Sequence, residues 1–283
     1  MLMLGREGFI LDLGWIEDWS ALEQYLPFAN LALAADNGAF FLAQAMAVCP
    51  RSLLQVQKRV FSVHHGTALT RQLCFYDGWA LDYEQDVAVL QYQAPQLSAA
   101  CLASVFPATP HEALVLDVAC GTGLVAQELQ ALGFCRFHGV DGSQGMLECA
   151  CRKGIYQELQ SCMLGHEPLP APTGHYDAVL IVGALSEGQV PSTVVPELLR
   201  VAKPGGFLCL TTRCNASNMK YMTQLQHILD DLEHQGLWEK VLVQEVDKWE
   251  IATSEQESMQ DSGYISGVIY VYRKGLSHML SSS

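Results

Sequence analysis

Two glycines and an acid stand in this sequence at a spacing that suits a nucleotide-like ligand. Gly121 and Gly123 follow the apolar run Ala113–Val118 and precede a helical pattern that begins near Leu124. Glycines at such a turn let the backbone approach a ligand, and the first turn of the helix offers it unpaired N–H groups. Asp141 comes 20 residues after Gly121, where a carboxylate can accept hydrogen bonds from both hydroxyls of a ribose.

A second acid, Asp117, bears on which ligand this turn would bind. The Gly-x-Gly-x-x-Ala spacing with a later acid also fits a dinucleotide such as NAD. Beside a pyrophosphate, however, a carboxylate at 5 to 6 Å would cost on the order of 3 kcal/mol at an effective dielectric constant of about 20. S-adenosylmethionine keeps the ribose, lacks phosphate and carries a sulfonium and an ammonium, so Asp117 favours it. The alternative that Asp117 is a strand acid bonded only to nearby backbone N–H groups stays open.

Alternating strands and helices must position these residues. Apolar residues spaced three and four apart from Leu73 to Leu90 predict one helix or two short ones ahead of them. The alternation predicts an α/β fold with a parallel sheet covered on both faces. The predicted strands are Ala113–Val118, Phe137–Val140, Leu159–Leu164, Ala178–Val182, Phe207–Thr212, Val241–Trp249 and Tyr264–Tyr272, and the helices are Leu124–Leu132, Ser143–Cys151, Thr193–Val201 and Ala216–His234.

Four motifs follow one another along the chain, at residues 117–123, 139–147, 176–180 and 199–206. In content and order they resemble the motifs of the class I S-adenosylmethionine-dependent methyltransferases. The resemblance implies a Rossmann-like, seven-stranded, mostly parallel sheet with helices on both faces and an antiparallel last strand. Residues 75–87 and 183–191 are also similar to one methyltransferase-like subgroup of that family.

The resemblance implies roles for the residues at matched positions. Asp117 would help to hold the methionyl ammonium, Asp141 would bind the ribose diol, and Met146 would lie along the adenine. Many relatives place an acid after the third strand, but this sequence has residues 164–167 there, so backbone groups of 164–166 are expected to contact the adenine. The implied cofactor-binding residues are Tyr76, Asp117, Ala119, Gly121, Thr122, Gly123, Asp141, Gly142, Met146, Gly165, His166, Val182 and Leu185.

The methyl acceptor is less well indicated, because methyl transfer mainly requires alignment and exclusion of water. Such alignment contributes roughly 7 to 11 kcal/mol, and a general base is needed only for an acceptor that is still protonated. The candidate catalytic residues are Glu187, Tyr83 and Arg213. For each a structural alternative stays open: a solvated loop acid for Glu187, a core stripe with Tyr76 and Trp79 for Tyr83, and an ion pair with Glu187 or Asp177 for Arg213.

Composition limits the partners. Sixteen Lys and Arg against 30 Asp and Glu leave a net charge of −14 over 283 residues, with a pI near 4.9. A surface that binds phosphate backbones needs basic residues, and no Asn-Pro-Pro-Tyr or Asp-Pro-Pro-Tyr run follows the fourth strand. A small-molecule or protein acceptor is therefore expected, rather than a nucleic acid.

The ten cysteines are scattered without metal-ligand spacing, so reduced thiols and no metal site are expected. No uninterrupted apolar run is long enough to span a membrane, and no secretory signal pattern opens the chain, so a soluble monomer in the cytoplasm, with the nucleus as a further compartment, is expected.

Three regions are expected along the chain. Residues 1–69 form an extension of unknown function, helical or partly disordered, with helical patterns at Trp19–Tyr25 and Ala39–Val48. Residues 70–275 form the methyltransferase domain, and residues 276–283 form a flexible tail. The leading hypothesis is a methyltransferase that uses S-adenosylmethionine. The alternatives are a regulatory binding module that retains the cofactor and, third, an NAD-dependent oxidoreductase.

Overall fold

The computed structural model describes residues 2–5, 8–11, 35–36, 39–40, 51–63, 69–106, 109–258 and 262–276. The chain divides into two compact units, Met1–Pro50 and Arg51–Ser283. The second unit therefore begins ahead of residue 70, the expected start of the methyltransferase domain, and it includes a helix, α1, at Leu53–Val63.

The first unit contains two short antiparallel strand pairs. Strand β1 (Leu2–Gly5) pairs with β2 (Gly8–Leu11), and β3 (Ala35–Asp36) pairs with β4 (Ala39–Phe40). The helix predicted at Ala39–Val48 is wrong at its first two residues, which lie in β4; its remainder, like the helix predicted at Trp19–Tyr25, lies outside the described residues. Asn37-Gly38, the pair that most favours a two-residue hairpin connection, stands between β3 and β4 in sequence.

The second unit alternates strands and helices after four leading helices. Its helices are α1, α2 (Leu69–Trp79), α3 (Tyr83–Val89), α4 (Ala94–Val105), α5 (Leu124–Ala131), α6 (Gln144–Lys153), α7 (Val195–Val201) and α8 (Met219–His234). Its strands are β5 (Leu114–Val118), β6 (Arg136–Asp141), β7 (Tyr156–Ser161), β8 (Tyr176–Leu185), β9 (Ala202–Arg213), β10 (Trp238–Ile251) and β11 (Tyr264–Lys274).

The seven strands of this unit form one sheet in the order β10-β11-β9-β8-β5-β6-β7. Strands β5 to β9 pair in parallel, whereas β11 runs antiparallel to both β9 and β10. This confirms the seven-stranded, mostly parallel sheet with an antiparallel last strand. From the central β5 the chain builds β6 and β7 on one side and β8 and β9 on the other, and ligands of open α/β sheets bind at the carboxyl ends of the strands at such a reversal.

Each face of the sheet carries its own hydrophobic core, which confirms the predicted coverage on both faces. Alternate residues of β5 divide between the two cores, because successive side chains of a strand point to opposite faces. Leu114, Leu116 and Val118 join a core with α7 and α8, whereas Val115 joins the core with α4 and α5.

The third parallel strand differs most from its prediction. Strand β7 covers Tyr156–Ser161 rather than Leu159–Leu164. Among the strands of the described residues it pairs only with β6, and four of its six residues are exposed. An edge strand with one side facing solvent lacks the apolar run that is typical of a buried strand. The prediction followed the apolar residues just beyond β7 and was therefore placed too far along the chain.

A charged cluster fixes the leading helices to one another. The Asp86 carboxylate of α3 is fully buried and accepts hydrogen bonds from Trp79 Nε1 at 2.8 Å, Arg59 Nη1 at 2.9 Å and Arg51 Nη1 at 3.1 Å. A buried carboxylate needs such paired donors to offset its lost hydration. The cluster joins α1, α2 and α3, so it also holds the α2 residues that form one wall of the cleft described next.

Candidate active site

Asp141 ends β6 beside the glycine turn and is held in a defined orientation. Its Oδ2 accepts a hydrogen bond from the Gly121 backbone N–H at 2.8 Å, and its Oδ1 accepts one from the Ser143 N–H at 2.8 Å. Burial raises the pKa of Asp141, and these N–H groups oppose the rise. Each carboxylate oxygen has a second lone pair. The side chain is therefore preorganised to accept two further hydrogen bonds from a ligand.

A cleft of about 780 Å³, open solvent at its mouth included, lies at the carboxyl ends of β5, β6 and β8. Eight predicted residues line it: Tyr76, Tyr83, Ala119, Gly121, Asp141, Gly142, Met146 and Val182. The structure thus brings together parts of α2, α3, the glycine turn and the β8 end that are far apart in sequence.

Asp117 does not line the cleft. It lies on the sheet face of Val115, is 2% exposed, and its Oδ2 accepts a hydrogen bond from the Tyr156 hydroxyl at 2.7 Å. Burial raises the pKa of Asp117 to about 7, against the lowering effect of that hydrogen bond. The expectation of an acid facing the ligand across the glycine turn is replaced by an acid buried beneath the turn, because strand alternation directs its side chain towards Tyr156.

Five other predicted cofactor-binding residues also lie outside the cleft wall. Thr122 and Leu185 are buried, and the Thr122 Oγ1 has no hydrogen-bond partner among the described residues. Gly123 packs against the Tyr156 ring, His166 is exposed, and Gly165 is so close to Pro191 that a Cβ would overlap the proline ring. In this part of the chain only Met163 and Leu164 reach the cleft.

Two of the candidate catalytic residues prove to be in different settings. Glu187 is exposed on the loop after β8, where its backbone N–H donates to Asn218 Oδ1 at 2.8 Å, as expected of a solvated loop acid. Arg213 is partly buried, donates from Nη2 to Ser186 Oγ at 3.2 Å and has its Nη1 3.9 Å from Glu250. Asp177, a predicted partner of Arg213, instead pairs with Lys203 at 2.7 Å.

A second cavity adjoins the cleft and shares Tyr76, Tyr83 and Gly183 with it. It measures about 470 Å³ with open solvent included. Its remaining wall is formed by Val60, Trp79, Val87, Leu90, Tyr92, Arg213, Trp249 and Glu250. The predicted catalytic residues Tyr83 and Arg213 therefore meet here, together with an acid, Glu250, that the sequence analysis did not single out.

Gln72 is a further cleft residue that sequence reasoning missed. It is 6% exposed, lines the cleft from α2, and its Nε2 has no hydrogen-bond partner among the described residues. A buried unpaired amide costs free energy unless a ligand completes it. Its spacing of four from Tyr76 on a helix was the available signal, but the helical pattern from Leu73 to Leu90 was defined by apolar residues alone. Gln72 and Asp141 together offer a donor and two acceptors, which fits the carboxylate, ring nitrogens and ribose hydroxyls of S-adenosylmethionine.

The other cleft residues that sequence reasoning missed are Leu73, Met163, Gly183, Ala184, Gln189 and Val190.

Gly183 stands where the two cavities meet, and a side chain there is expected to be costly. Its φ of +76° lies in the left-handed region, and a Cβ would overlap the Tyr92 hydroxyl. Gly183→Ala should lower the free energy of unfolding by about 2 to 5 kcal/mol, from roughly 1–2 of backbone strain and 1–3 of overpacking. Urea unfolding measures this change.

Gly188→Ala is the matched control. Gly188 also has a left-handed φ, +73°, but no atom of the described residues lies within 4 Å of the added Cβ. It should show the backbone strain alone, about 1–2 kcal/mol. Equal losses in the two variants would contradict the contact between Gly183 and Tyr92.

The sheet order, the glycine turn and the acid at the end of β6 together define a Rossmann-like methyltransferase fold. Residues 116–210 match the family described as Methyltransferase domain. Methyltransferase-like protein 27 of Homo sapiens is 57% identical over 197 residues, which cover 70% of this chain and 80% of that protein. The chain belongs to the class I S-adenosylmethionine-dependent methyltransferases, and it transfers a methyl group from that cofactor to an acceptor.

More distant matches agree with this family. Demethylmenaquinone methyltransferase of Bacillus licheniformis is 36% identical over 107 residues, 36% of this chain and 46% of that protein. Ubiquinone biosynthesis O-methyltransferase of Thiobacillus denitrificans is 30% identical over 102 residues, 35% of this chain and 43% of that protein. A methyltransferase solved in complex with the Haloferax volcanii Trm112 methyltransferase activator has the same fold, with a TM-score of 0.51 and 16% identity, over 71% of this chain and 97% of that one.

Two further features are absent from the described residues. No group of three or more His, Cys, Asp or Glu residues among them could hold a metal ion. None of the helices in the described part of the chain has the length and apolar composition that a membrane span needs.

Proposed function

We propose that the cleft binds S-adenosylmethionine and that the second cavity receives a small-molecule methyl acceptor. The observation that carries this proposal is the shared wall: Tyr76, Tyr83 and Gly183 line both spaces. A methyl donor in one space and an acceptor in the other would meet at these residues, as in-line displacement requires.

In this proposal the cofactor is held mainly by polar groups at the ends of β5 and β6. The Asp141 carboxylate accepts hydrogen bonds from the ribose hydroxyls, the Gln72 amide donates to the cofactor, and Met146 packs on the adenine. Ala119 and Gly121 of the glycine turn shape the floor of the site. Asp117 lies beneath that turn, where its ionised form attracts a cationic ligand without contact. When bound, S-adenosylmethionine supplies an electrophilic methyl group on a sulfonium.

The second cavity favours a small acceptor over a protein side chain. Its wall is largely aromatic, with Trp79 and Trp249 buried and Tyr83 and Tyr92 partly buried. Compact apolar spaces with few polar groups are typical of small-molecule sites. Two relatives are named for the small molecules demethylmenaquinone and ubiquinone, which agrees with this substrate class.

The finer classification is also a proposal. Residues 75–87 and 183–191, together with the 57% identity to Methyltransferase-like protein 27, support placement in the subgroup of the methyltransferase-like protein of the Williams-Beuren region. A monomer in the cytoplasm, with the nucleus as a further compartment, is the form in which we propose that it works.

Labelling of a cell extract tests the acceptor class. The full chain is incubated with extract and S-adenosylmethionine carrying an isotopically labelled methyl group, and small molecules are then separated from protein. Label in the small-molecule fraction is expected, and it should be absent with Asp141→Ala and present with Asp247→Ala, which changes an exposed acid. Label confined to protein would overturn the small-molecule acceptor. S-adenosylhomocysteine binding without label in either fraction would favour a regulatory binding module.

A further inference from the structure

Glu250 is an acid of unusual placement in the wall of the second cavity. It lies next to the end of β10 and is 9% exposed. Among the described residues its carboxylate has one charged contact, Arg213 Nη1 at 3.9 Å, a distance too long for a hydrogen bond. A buried carboxylate normally has hydrogen-bond donors around it, so Glu250 has unused acceptor capacity beside the cavity.

The groups around Glu250 keep the cavity close to electrically neutral. Arg213 balances its charge, and the other titratable groups in the wall are the phenols Tyr76, Tyr83 and Tyr92. Desolvation raises the pKa of all three phenols, so they remain uncharged at neutral pH. Arg213 would repel a cationic amine in this cavity, and Glu250 would repel a carboxylate. An uncharged acceptor meets neither of these repulsions.

The shape of the wall selects among uncharged acceptors. Trp79, Tyr83, Tyr92 and Trp249 present aromatic rings, which favour a flat partner through stacked or edge contacts. Tyr83 and Tyr92 also line the cavity, and a phenolic hydroxyl both donates and accepts hydrogen bonds, so these two residues can orient an oxygen atom of the acceptor. An aromatic alcohol satisfies both features.

We propose that the acceptor is a phenol and that Glu250 is the general base that removes its proton. This inference rests on the proposed function, because it places the methyl donor in the adjoining cleft. The Glu250 carboxylate takes the hydroxyl proton as the phenol oxygen forms a bond to the methyl carbon. The bond between that carbon and sulfur breaks, its electron pair stays on sulfur, and a methyl ether and uncharged S-adenosylhomocysteine result.

The chemistry of the two groups supports this assignment. Burial raises the pKa of Glu250 and Arg213 opposes the rise, so the carboxylate is a stronger base than a solvated one. A phenol is protonated at neutral pH and becomes a good nucleophile only as it loses its proton, so a base positioned near it accelerates attack. Glu187, the base suggested by sequence, is exposed and does not line either cavity.

Binding of 4-nitrophenol to the full chain saturated with S-adenosylhomocysteine tests the site, because the phenolate absorbs visible light and the phenol does not. The wild-type protein should bind the phenol form and raise the apparent pKa of the probe. Glu250→Gln should lower the apparent pKa of the bound probe by one unit or more. The glutamine amide can donate a hydrogen bond to the phenolate, and the carboxylate that opposes the positive charge of Arg213 is gone. Glu245→Gln, which changes an exposed acid on β10, is the matched control and should behave as wild type.

Conversion of 4-nitrophenol to 4-nitroanisole with S-adenosylmethionine is the second arm. Glu250→Gln should lower the single-turnover rate at least a hundredfold, and the rate should no longer rise with pH. Glu250→Asp, which keeps a carboxylate, should retain part of the rate and part of its rise with pH. Failure of 4-nitrophenol, 4-ethylphenol and catechol to bind wild type, or a probe pKa and rate independent of Glu250, would overturn the proposal. Should Glu250→Gln unfold, Glu250→Asp carries the same comparison. Calorimetry with S-adenosylhomocysteine distinguishes failure of the proposed function from failure of this inference. If the wild-type protein does not bind S-adenosylhomocysteine, the proposed function is wrong. If it binds S-adenosylhomocysteine but the probe pKa and the rate do not depend on Glu250, only this inference is wrong.

Discussion

Asp141→Ala is expected to weaken the binding of S-adenosylhomocysteine by a hundredfold or more. The carboxylate is oriented by the Gly121 and Ser143 N–H groups and has free lone pairs for two ribose hydroxyls. Hydrogen bonds to a charged group contribute about 1.5–3 kcal/mol each, and two of them correspond to roughly 10²- to 10⁴-fold in affinity. Isothermal titration calorimetry measures this change, and a pH of 8 favours the ionised carboxylate against the rise in its pKa.

A control variant and a folding measurement accompany the test of Asp141→Ala. Asp247→Ala removes an exposed acid from β10 and should leave the affinity unchanged. Asp141→Ala also leaves the Gly121 and Ser143 N–H groups without their partner, so thermal unfolding of the free protein must show that the variant is folded. Asp141→Asn, which retains an acceptor oxygen, serves if it is not. Wild-type affinity in a folded Asp141→Ala protein would remove Asp141 from the ribose site.

Asp117→Asn is expected to stabilise the protein by up to about 4 kcal/mol at pH 8. Burial raises the pKa of Asp117 to about 7 from an ordinary value of 3.8, and each unit corresponds to about 1.4 kcal/mol. A raised folded-state pKa gives stability that is complete below the unfolded-state value and is lost as pH rises through the folded-state value. The wild-type protein should therefore lose this stability between pH 4 and pH 7, at up to about 1.4 kcal/mol per pH unit.

The measurement is the difference in the free energy of unfolding in urea between Asp117→Asn and wild type. It should grow from pH 4.5 to pH 7 and level off above pH 7.5, since an asparagine oxygen can still accept the Tyr156 hydrogen bond but does not titrate. Asp247→Asn should show no such trend. A constant difference across this pH range would show that Asp117 is not a buried acid with a raised pKa.

The cofactor side of the site could be predicted in part from sequence. The glycine turn, Asp141 and Met146 lie in contiguous strand–turn–helix segments, where local spacing decides which residues face the ligand. Asp117 belongs to the same motif, yet its side chain is buried under the turn. The motif specifies its position along the strand, but packing of Tyr156 from the edge strand β7 specifies its environment.

The acceptor side could not be predicted in the same way. Tyr92, Gly183 and Glu250 come from the α3–α4 connection, β8 and β10, and they meet only through the folded sheet and the helices packed on it. Glu250 follows a strand prediction that ended at Trp249, so no pattern marked it. From the sequence, Glu187 was the candidate general base, because it is an acid that directly follows a central strand. Only the tertiary structure shows that its side chain is exposed.

By itself the sequence determined the α/β fold through apolar periodicity, and motifs within short segments determined the resemblance to a family that implies the seven-stranded sheet. Tertiary structure alone decided which acids are buried, which face the cleft and that a second aromatic cavity adjoins it. Burial and cavity formation depend on contacts between residues distant in the chain, and the charge of a carboxylate depends on those contacts rather than on its place in a motif.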